Sequence, residues 1–512
     1  MGAPIVYLIG AGPGDPGLMT VKGLECLAKA EVVVYDYLAN PRFLSAADPD
    51  AELIYVGKKG FSKHVTQDEI NAILVEKALE DGGKIVARLK GGDPFIFGRG
   101  GEEALALYDN DIPFEVVPGI SSGYAAPAYA GIPVTHRGIT TDMAFVTGHE
   151  DPTKETTDVN WEHLATAVGT ICFFMGIKNL PVITERLITF GRSPETPVAL
   201  VRWGTTPRQE TLVGTLADIA EKATAAKFKA PAITIVGEVV NLREQLAWFE
   251  NKPLFGKTAI VTRSRAQASD LSERFVELGA EVLEFPTIKI TDPETWEPVD
   301  EAIGNLAVYD WVVFTSVNGV DQFFDRMEEM GVDARQFAGC RVAAIGPATA
   351  ARCMCHGIRP DYVPDEYVAE GVLEGFSERG VGEGTRFLIP RAAEAREVLP
   401  DTLRERGAVV DVVTVYRTVL GAGEQSVLTR LAEGTVDVIT FTSSSTVKNF
   451  MKLTEGTDIA ATMDSALIAS IGPITSDTAR DLGLTVGVEA EEYTIPGLVD
   501  AVVANIAASG AE

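Results

Sequence analysis

Arg88-Leu-Lys-Gly-Gly-Asp-Pro-Phe-Ile-Phe-Gly-Arg-Gly-Gly-Glu102 is the stretch on which the fold of the first half turns. The run leading into it, Lys84-Ile-Val-Ala-Arg-Leu-Lys90, is apolar and β-branched and reads as a buried strand that stops at a glycine pair. Gly91 and Gly92 leave the backbone open to close approach, and Asp93 offers a carboxylate that can cap a turn beginning at Pro94. Such a loop either holds a ligand or makes a tight turn from strand to helix, and these residues alone leave both readings open.

Upstream the pattern is β-loop-α-β. Residues 5–9 read as a strand, Gly10-Ala-Gly-Pro-Gly-Asp-Pro-Gly17 as a loop, residues 19–30 as a helix with Leu24, Leu27 and Ala28 on one side, and residues 31–36 as the next strand. Gly12, Gly14 and Gly17 satisfy a dinucleotide fingerprint, and Asp36 ends the second strand about 20 residues on, so a nicotinamide cofactor is one expectation. Pro13 and Pro16 count against it, because they remove N–H donors from the loop that would cradle a pyrophosphate. Downstream, residues 67–79 carry Ile70, Ile73, Leu74 and Ala78 at helical spacing, and Ser121 and Ser122 stand where they can cap a helix after the strand 113–117. Strand-like runs at 143–147, 170–175, 197–201 and 231–236 alternate with helical ones at 179–190, 216–226 and 242–249. The fold class is α/β throughout.

The chain's 512 residues exceed one ordinary core and suggest three or four domains, and a hydrophobic fraction of 46% supplies them all. Lys and Arg number 44 against 73 Asp and Glu, a net charge of −29 with no basic stretch, which argues against nucleic acid as a partner. An anionic substrate must then be held by local donors in a cleft. No apolar run has the length of a membrane span and the start lacks the pattern of a secretion signal, so the expectation is a cytoplasmic protein. Five scattered cysteines fit reduced thiols. Cys353-Met-Cys355-His356 lies in a helical stretch without a second ligand cluster, and no metal site is expected there.

Val6-Tyr-Leu-Ile-Gly-Ala-Gly-Pro-Gly-Asp-Pro-Gly-Leu18, Val34-Tyr-Asp36, the stretch 88–102, Ala130-Gly-Ile-Pro-Val-Thr-His-Arg137 and Thr147-Gly-His149 closely resemble the uroporphyrinogen-III C-methyltransferases of the tetrapyrrole methylase superfamily. The resemblance covers residues 4–250. It implies two α/β subdomains, split near residue 118, with S-adenosyl-L-methionine between them, S-adenosyl-L-homocysteine as the spent product, and a homodimer formed through this half. Position by position it places the cofactor against Pro13, Gly91, Gly92, Asp93, Ile96, Ser121, Ser122, Met175 and Gly204, and makes Asp36 a proton acceptor and Lys58 a proton donor. Phe174 stands where many relatives carry a tyrosine.

Residues 251–256 form a short linker with Pro253 and Gly256, beyond which strand-helix alternation begins afresh and the chain repeats itself. Phe314-Thr-Ser316 recurs as Phe441-Thr-Ser443, Ile345-Gly-Pro347 as Ile471-Gly-Pro473, and Glu366-Tyr367 as Glu492-Tyr493, which makes residues 257–512 two related lobes. Hydroxyls gather where strands give way to helices, the place where open α/β sheets bind ligands. N-capping accounts for one hydroxyl per turn but not for Ser443-Ser-Ser445. Val313-Phe-Thr-Ser-Val-Asn-Gly-Val320, Ala344-Ile-Gly-Pro-Ala-Thr-Ala350, Val415-Tyr-Arg-Thr418, Thr440-Phe-Thr-Ser-Ser-Ser-Thr446 and Tyr493-Thr-Ile-Pro-Gly497 resemble uroporphyrinogen-III synthase. That resemblance implies a bilane, hydroxymethylbilane, bound between the lobes by Ser316, Asn318, Thr349, Thr442, Ser443 and Ser444, with Tyr416 assisting loss of its hydroxyl.

The two resemblances name consecutive reactions, closure of the bilane to uroporphyrinogen III and its double methylation to precorrin-2, on the branch toward sirohaem, cobalamin or related tetrapyrroles. The other expectations are a nicotinamide-dependent dehydrogenase fused to a two-lobed binding module, and a non-catalytic solute-binding protein.

Overall fold

Apolar, β-branched runs in this chain become strands wherever both faces can be covered, and they build four sheets of five strands each. The computed structural model describes residues 4–57, 65–149, 157–263 and 265–509. Strands β1 (Ile5–Gly10), β2 (Val32–Tyr35), β3 (Glu52–Tyr55), β4 (Ile85–Lys90) and β5 (Phe114–Val117) form the first sheet in the order β3-β2-β4-β1-β5. All its pairings are parallel. Alternation along β1 and β4 divides the core in two. Val6, Leu8 and Val86 pack with Leu74 and Leu107 on one face, and Ile9, Ala87 and Leu89 pack with Leu27 on the other.

The helices between them are α1 (Val21–Leu27), α2 (Gln67–Leu79), α3 (Gly100–Asp109) and α4 (Ser122–Tyr129). Helix α2 has the span its periodicity predicts and starts on a capping box, Thr66 with Glu69. Helix α1 is shorter than predicted and buries another stripe: Gly23, Cys26 and Leu27 face inward, whereas Leu24 and Ala28 are exposed. The second sheet contains β6 (Met143–Thr147), β7 (Thr170–Phe174), β8 (Pro197–Arg202), β9 (Glu210–Thr215) and β10 (Ala232–Val236), in the order β6-β7-β10-β8-β9. It is mixed: β6 and β7 run parallel, and the remaining pairs are antiparallel.

The second half contains β11 (Thr258–Val261), β12 (Glu281–Glu284), β13 (Ile288–Thr291), β14 (Trp311–Phe314), β15 (Arg341–Ala344), β16 (Arg386–Ala392), β17 (Val409–Leu420), β18 (Val438–Phe441), β19 (Leu467–Ser470) and β20 (Val486–Glu489). Their sheets have the orders β12-β11-β18-β19-β20 and β13-β17-β16-β14-β15. The internal repeat is real at atomic scale. The ring of Tyr367 lies over Gly346 and that of Tyr493 over Gly472, while a side chain on Gly371 or Gly497 would strike the carbonyl of Glu366 or Glu492 respectively. Contacts divide the chain into two units, residues 1–259 with 273–282 and 502–512, and residues 260–272 with 283–501.

Among the described residues no helix is long and apolar enough to cross a membrane, and no group of His, Cys, Asp and Glu is placed to hold a metal ion. Cys353 lies inside the helix Pro347–Cys355, and burial pushes its thiol up to about 12, which disfavours the thiolate a metal would need.

Candidate functional site

Parallel sheets of this kind present their ligand crevice at the carboxyl ends of the strands, where the order changes direction. Three glycine turns converge there. Gly12 and Gly92 pair through their backbones at 3.2 and 2.7 Å, which joins the loop after β1 to the turn after β4. Asp93 holds the turn itself: Oδ1 accepts from Phe95 N at 2.8 Å and Oδ2 from Gly119 N at 3.0 Å, the latter in the turn after β5. The backbones approach so closely that a Cβ on Gly119 would lie 2.2 Å from Gly92 O, and one on Gly10 would lie 2.5 Å from Gly119 Cα. Gly91 packs against Leu38, whereas Gly92, at φ +70°, faces open space. Ser121 caps α4 with its side chain buried, and Ser122 is the first residue of that helix. These turns gather Pro13, Gly91, Gly92, Asp93, Ser121 and Ser122, as the sequence predicts.

Met175 and Gly204 belong to the second sheet, and several contacts tie that sheet's ends to the crevice. Asp15 N donates to Thr205 Oγ1 at 3.1 Å, a side chain on Gly14 would meet Thr206, and Gly204 packs against Ala126 of α4. Ile96 packs on the core of the second sheet, and Phe97 lies 4.9 Å from Phe174, centroid to centroid. Of the eight non-glycine residues with positive φ among those described, five lie in these turns: Phe97, Arg99, Met175, Trp203 and Thr205. Each such residue costs about 1–3 kcal/mol, strain that clusters where ligands are clamped. The sequence gave no sign of it, because none of these residue types announces a left-handed backbone. The donor set suits the implied cofactor. Gly92 leaves a space that any Cβ would fill, hydroxyls and free backbone line the turns, and Met175, 52% exposed at the end of β7, offers a polarisable thioether.

The dinucleotide reading meets a structural obstacle. The glycine loop runs into a single short turn, Pro16–Leu18, and α1 opens only at Val21 on a Thr20 cap, so no helix N-terminus stands directly behind the glycines. Asp36, half-buried at the end of β2, is held from two sides: Oδ1 accepts from Leu38 N at 3.0 Å and Oδ2 from Arg88 Nη2 at 2.9 Å. Lys58 lies outside the described residues.

In the second unit Tyr416 is nearly buried on β17, where a bulge against β16 leaves Val415 unpaired and re-aims the strand. Its hydroxyl lies 3.1 Å from Ser316 Oγ, which also accepts from Gly319 N at 3.0 Å as the cap of the helix Val317–Glu329. Asn318 is in the first turn of that helix. Ser443 is the matching cap of the helix Ser444–Leu453, completed by Thr446 as a capping box, and Thr442 precedes it. The serine run has partners within the chain: Ser445 Oγ meets Ser443 Oγ at 2.9 Å, and Ser444 Oγ donates to Ile474 O at 3.2 Å and accepts from Thr478. Capping and cross-helix bonds thus account for all three hydroxyls. Thr349, predicted in a turn, is the third residue of the helix Pro347–Cys355 and is buried.

Fold and turns together define an α/β protein with one crevice built for a small nucleotide-like cofactor and a second, duplicated unit lined with capping hydroxyls. Residues 5–220 match the family described as tetrapyrrole (corrin/porphyrin) methylases, and residues 269–500 match uroporphyrinogen-III synthase HemD. The porphyrin biosynthesis protein HemD of Ruminiclostridium josui is 40% identical over 496 residues, which are 97% of this chain and 97% of that one. The S-adenosyl-L-methionine-dependent uroporphyrinogen III methyltransferase of Methanosarcina barkeri (strain Fusaro / DSM 804) is 54% identical over 241 residues, 47% of this chain and 94% of its own. The crystal structure of uroporphyrin-III C-methyl transferase from Thermus thermophilus complexed with S-adenyl homocysteine, 39% identical, covers 46% of this chain and 99% of its own with a TM-score of 0.40. The chain belongs to the family in which a tetrapyrrole methylase is followed by a uroporphyrinogen-III synthase. That membership removes support from the dehydrogenase reading.

Proposed function

We propose that this chain is a bifunctional enzyme of tetrapyrrole biosynthesis. Its C-terminal half, residues 257–512, closes hydroxymethylbilane to uroporphyrinogen III with inversion of ring D. Its N-terminal half, residues 1–250, moves two methyl groups from S-adenosyl-L-methionine to ring carbons two and seven of that product, giving precorrin-2. The observation that carries the reading is the near full-length likeness to one porphyrin biosynthesis protein, with both family matches in order along the chain.

The donor, when bound, supplies a methyl group already activated on a sulfonium, so the protein's main contribution is alignment. Pro13, Gly91, Gly92, Asp93, Ile96, Ser121, Ser122, Met175 and Gly204 hold it. Asp36 accepts the proton the ring loses after methylation, and Lys58 returns one. In the second unit Tyr416 assists departure of the bilane hydroxyl by hydrogen bonding, with Ser316 at its side. Ser316, Asn318, Thr349, Thr442, Ser443 and Ser444 line the bilane's place, where helix N-termini and hydroxyls suit its carboxylates. The enzyme is cytoplasmic and works as a homodimer through the N-terminal half, which sedimentation of the purified protein tests.

The deciding experiment supplies fresh hydroxymethylbilane anaerobically, with and without S-adenosyl-L-methionine, and resolves products by mass and isomer. Type III uroporphyrinogen without the donor, and its dimethylated derivative with it, establishes both halves. The spontaneous type I isomer alone would sink the synthase reading, and type III without methylation would sink the methylase reading.

A further inference from the structure

Beneath the glycine pair lies a set of charges that the two reactions above do not use. Arg88 and Lys90 are two residues apart on β4 and share one face, at 3% and 4% exposure, and Glu103 on α3 meets them at 0%. Glu103 Oε1 accepts from Lys90 Nζ at 2.7 Å, from Arg88 Nε at 3.1 Å and from Gln67 Nε2 at 3.4 Å, while Oε2 has no partner. Arg88 directs Nη1 to Leu89 O at 2.9 Å and Val34 O at 3.4 Å, and Nη2 to Asp36 Oδ2 at 2.9 Å. Every nitrogen of the guanidinium is committed, so its plane, and with it the Asp36 carboxylate, has one orientation. Taking such charges out of water costs several kcal/mol per ion, and apolar side chains of similar volume would serve a core at least as well. The one member of the set that reaches the crevice is Asp36.

We propose that Glu103 and Lys90 are positioning residues for Asp36, acting through Arg88 to aim its carboxylate and to set the charge it faces when it takes the ring proton. The proposal rests on the methylase reading above. In that step the ring carbon bonds to the methyl group as the carbon–sulfur bond breaks and its electron pair stays on sulfur. The ring cation then releases a proton, whose bonding pair restores neutrality in the ring, to Asp36. The groups facing Asp36 are Arg88 and Lys90 from β4, Glu103 from α3, and the phenols of Tyr35, Tyr37 and Tyr55 from β2, the turn after it and β3. Burial and the neighbouring Arg88 pull the Lys90 ammonium down from its ordinary value, and Glu103 opposes them. Loss of the Glu103 charge leaves two cations facing Asp36, whereas loss of the Lys90 charge leaves Glu103 opposed by Arg88 alone. The two changes act on Asp36 with opposite sign.

The test measures methylation of uroporphyrinogen III across about pH 5 to 9 for the wild type, E103Q, K90M and D36N, with S-adenosyl-L-homocysteine affinity and thermal unfolding alongside. We expect kcat to fall about ten- to a hundredfold in E103Q and K90M, with cofactor KM and affinity within about twofold of wild type. The acid limb of kcat moves to lower pH in E103Q and to higher pH in K90M, and it disappears in D36N. Limbs that stay in place or move together, or a D36N enzyme that keeps its limb, overturn the proposal. E103Q is nearly isosteric and carries the test by itself if K90M does not fold. A wild type that binds the cofactor yet methylates nothing fails the underlying methylase reading instead, and the positioning role falls with it.

Discussion

Asp93 accepts two backbone N–H groups from two different turns, so its loss releases both Phe95 and Gly119 and opens the crevice floor. Each charge-assisted bond is worth about 1.5–3 kcal/mol. We expect Asp93→Ala to abolish methylation while cyclisation of the bilane continues, read from the same product assay; loss of both activities in a folded variant would show that the two sites are not separate. Tyr416→Phe should do the reverse. It removes only the bond to Ser316, about 1 kcal/mol of stability, yet cyclisation should fall steeply while methylation of supplied uroporphyrinogen III persists. Both aspartate and glycine were legible in the sequence, because a glycine pair followed by Asp-Pro at a strand end has few other uses. Glu103 was not. Its partners come from β4 and α2, and no spacing within α3 shows that its carboxylate turns inward.

At the scale of elements, the runs that showed themselves were those buried on both faces. β4, β6 and β10 appeared nearly residue for residue, whereas β3 and β9 did not. Both are edge strands, half covered, and Glu52-Leu-Ile-Tyr55 and Glu210-Thr-Leu-Val-Gly-Thr215 lack the apolar density of a central strand. Helix α3 stayed hidden for another reason: it opens on Gly100-Gly101 after Arg99, with no side-chain cap to mark its start. The bulge that presents Tyr416 depends on how β17 registers with β16, which is decided by the partner strand. Caps, in contrast, were readable and carry a prediction. Ser443 accepts from Thr446 N while Thr446 Oγ1 accepts from Ser443 N, so Ser443→Ala should cost about 1 kcal/mol. Ser445 is exposed, and Ser445→Ala should cost a few tenths at most. Equal thermal unfolding of the two variants, followed by loss of cyclisation activity, would show that the cap contributes nothing.

Across the whole molecule the excess of 29 negative charges acts on the two kinds of ligand in opposite ways. Hydroxymethylbilane and uroporphyrinogen III are polycarboxylates and approach against this field, whereas S-adenosyl-L-methionine carries a net positive charge and approaches with it. Added salt shortens the screening length from about 30 Å at 0.01 M to about 8 Å at 0.15 M, which weakens the distant field and leaves contacts inside the crevice nearly untouched. The KM for either tetrapyrrole should therefore fall as salt rises over that range, while the KM for the methyl donor rises. Initial rates at fixed pH with each substrate varied in turn give both slopes from one preparation. A tetrapyrrole KM that climbed with salt would mean that cations local to the site outweigh the rest of the chain, and that the acidic surface governs solubility alone. Slopes of opposite sign would instead show the whole charge of the protein acting on each ligand's capture, with hydroxyls and backbone donors holding the anions once inside.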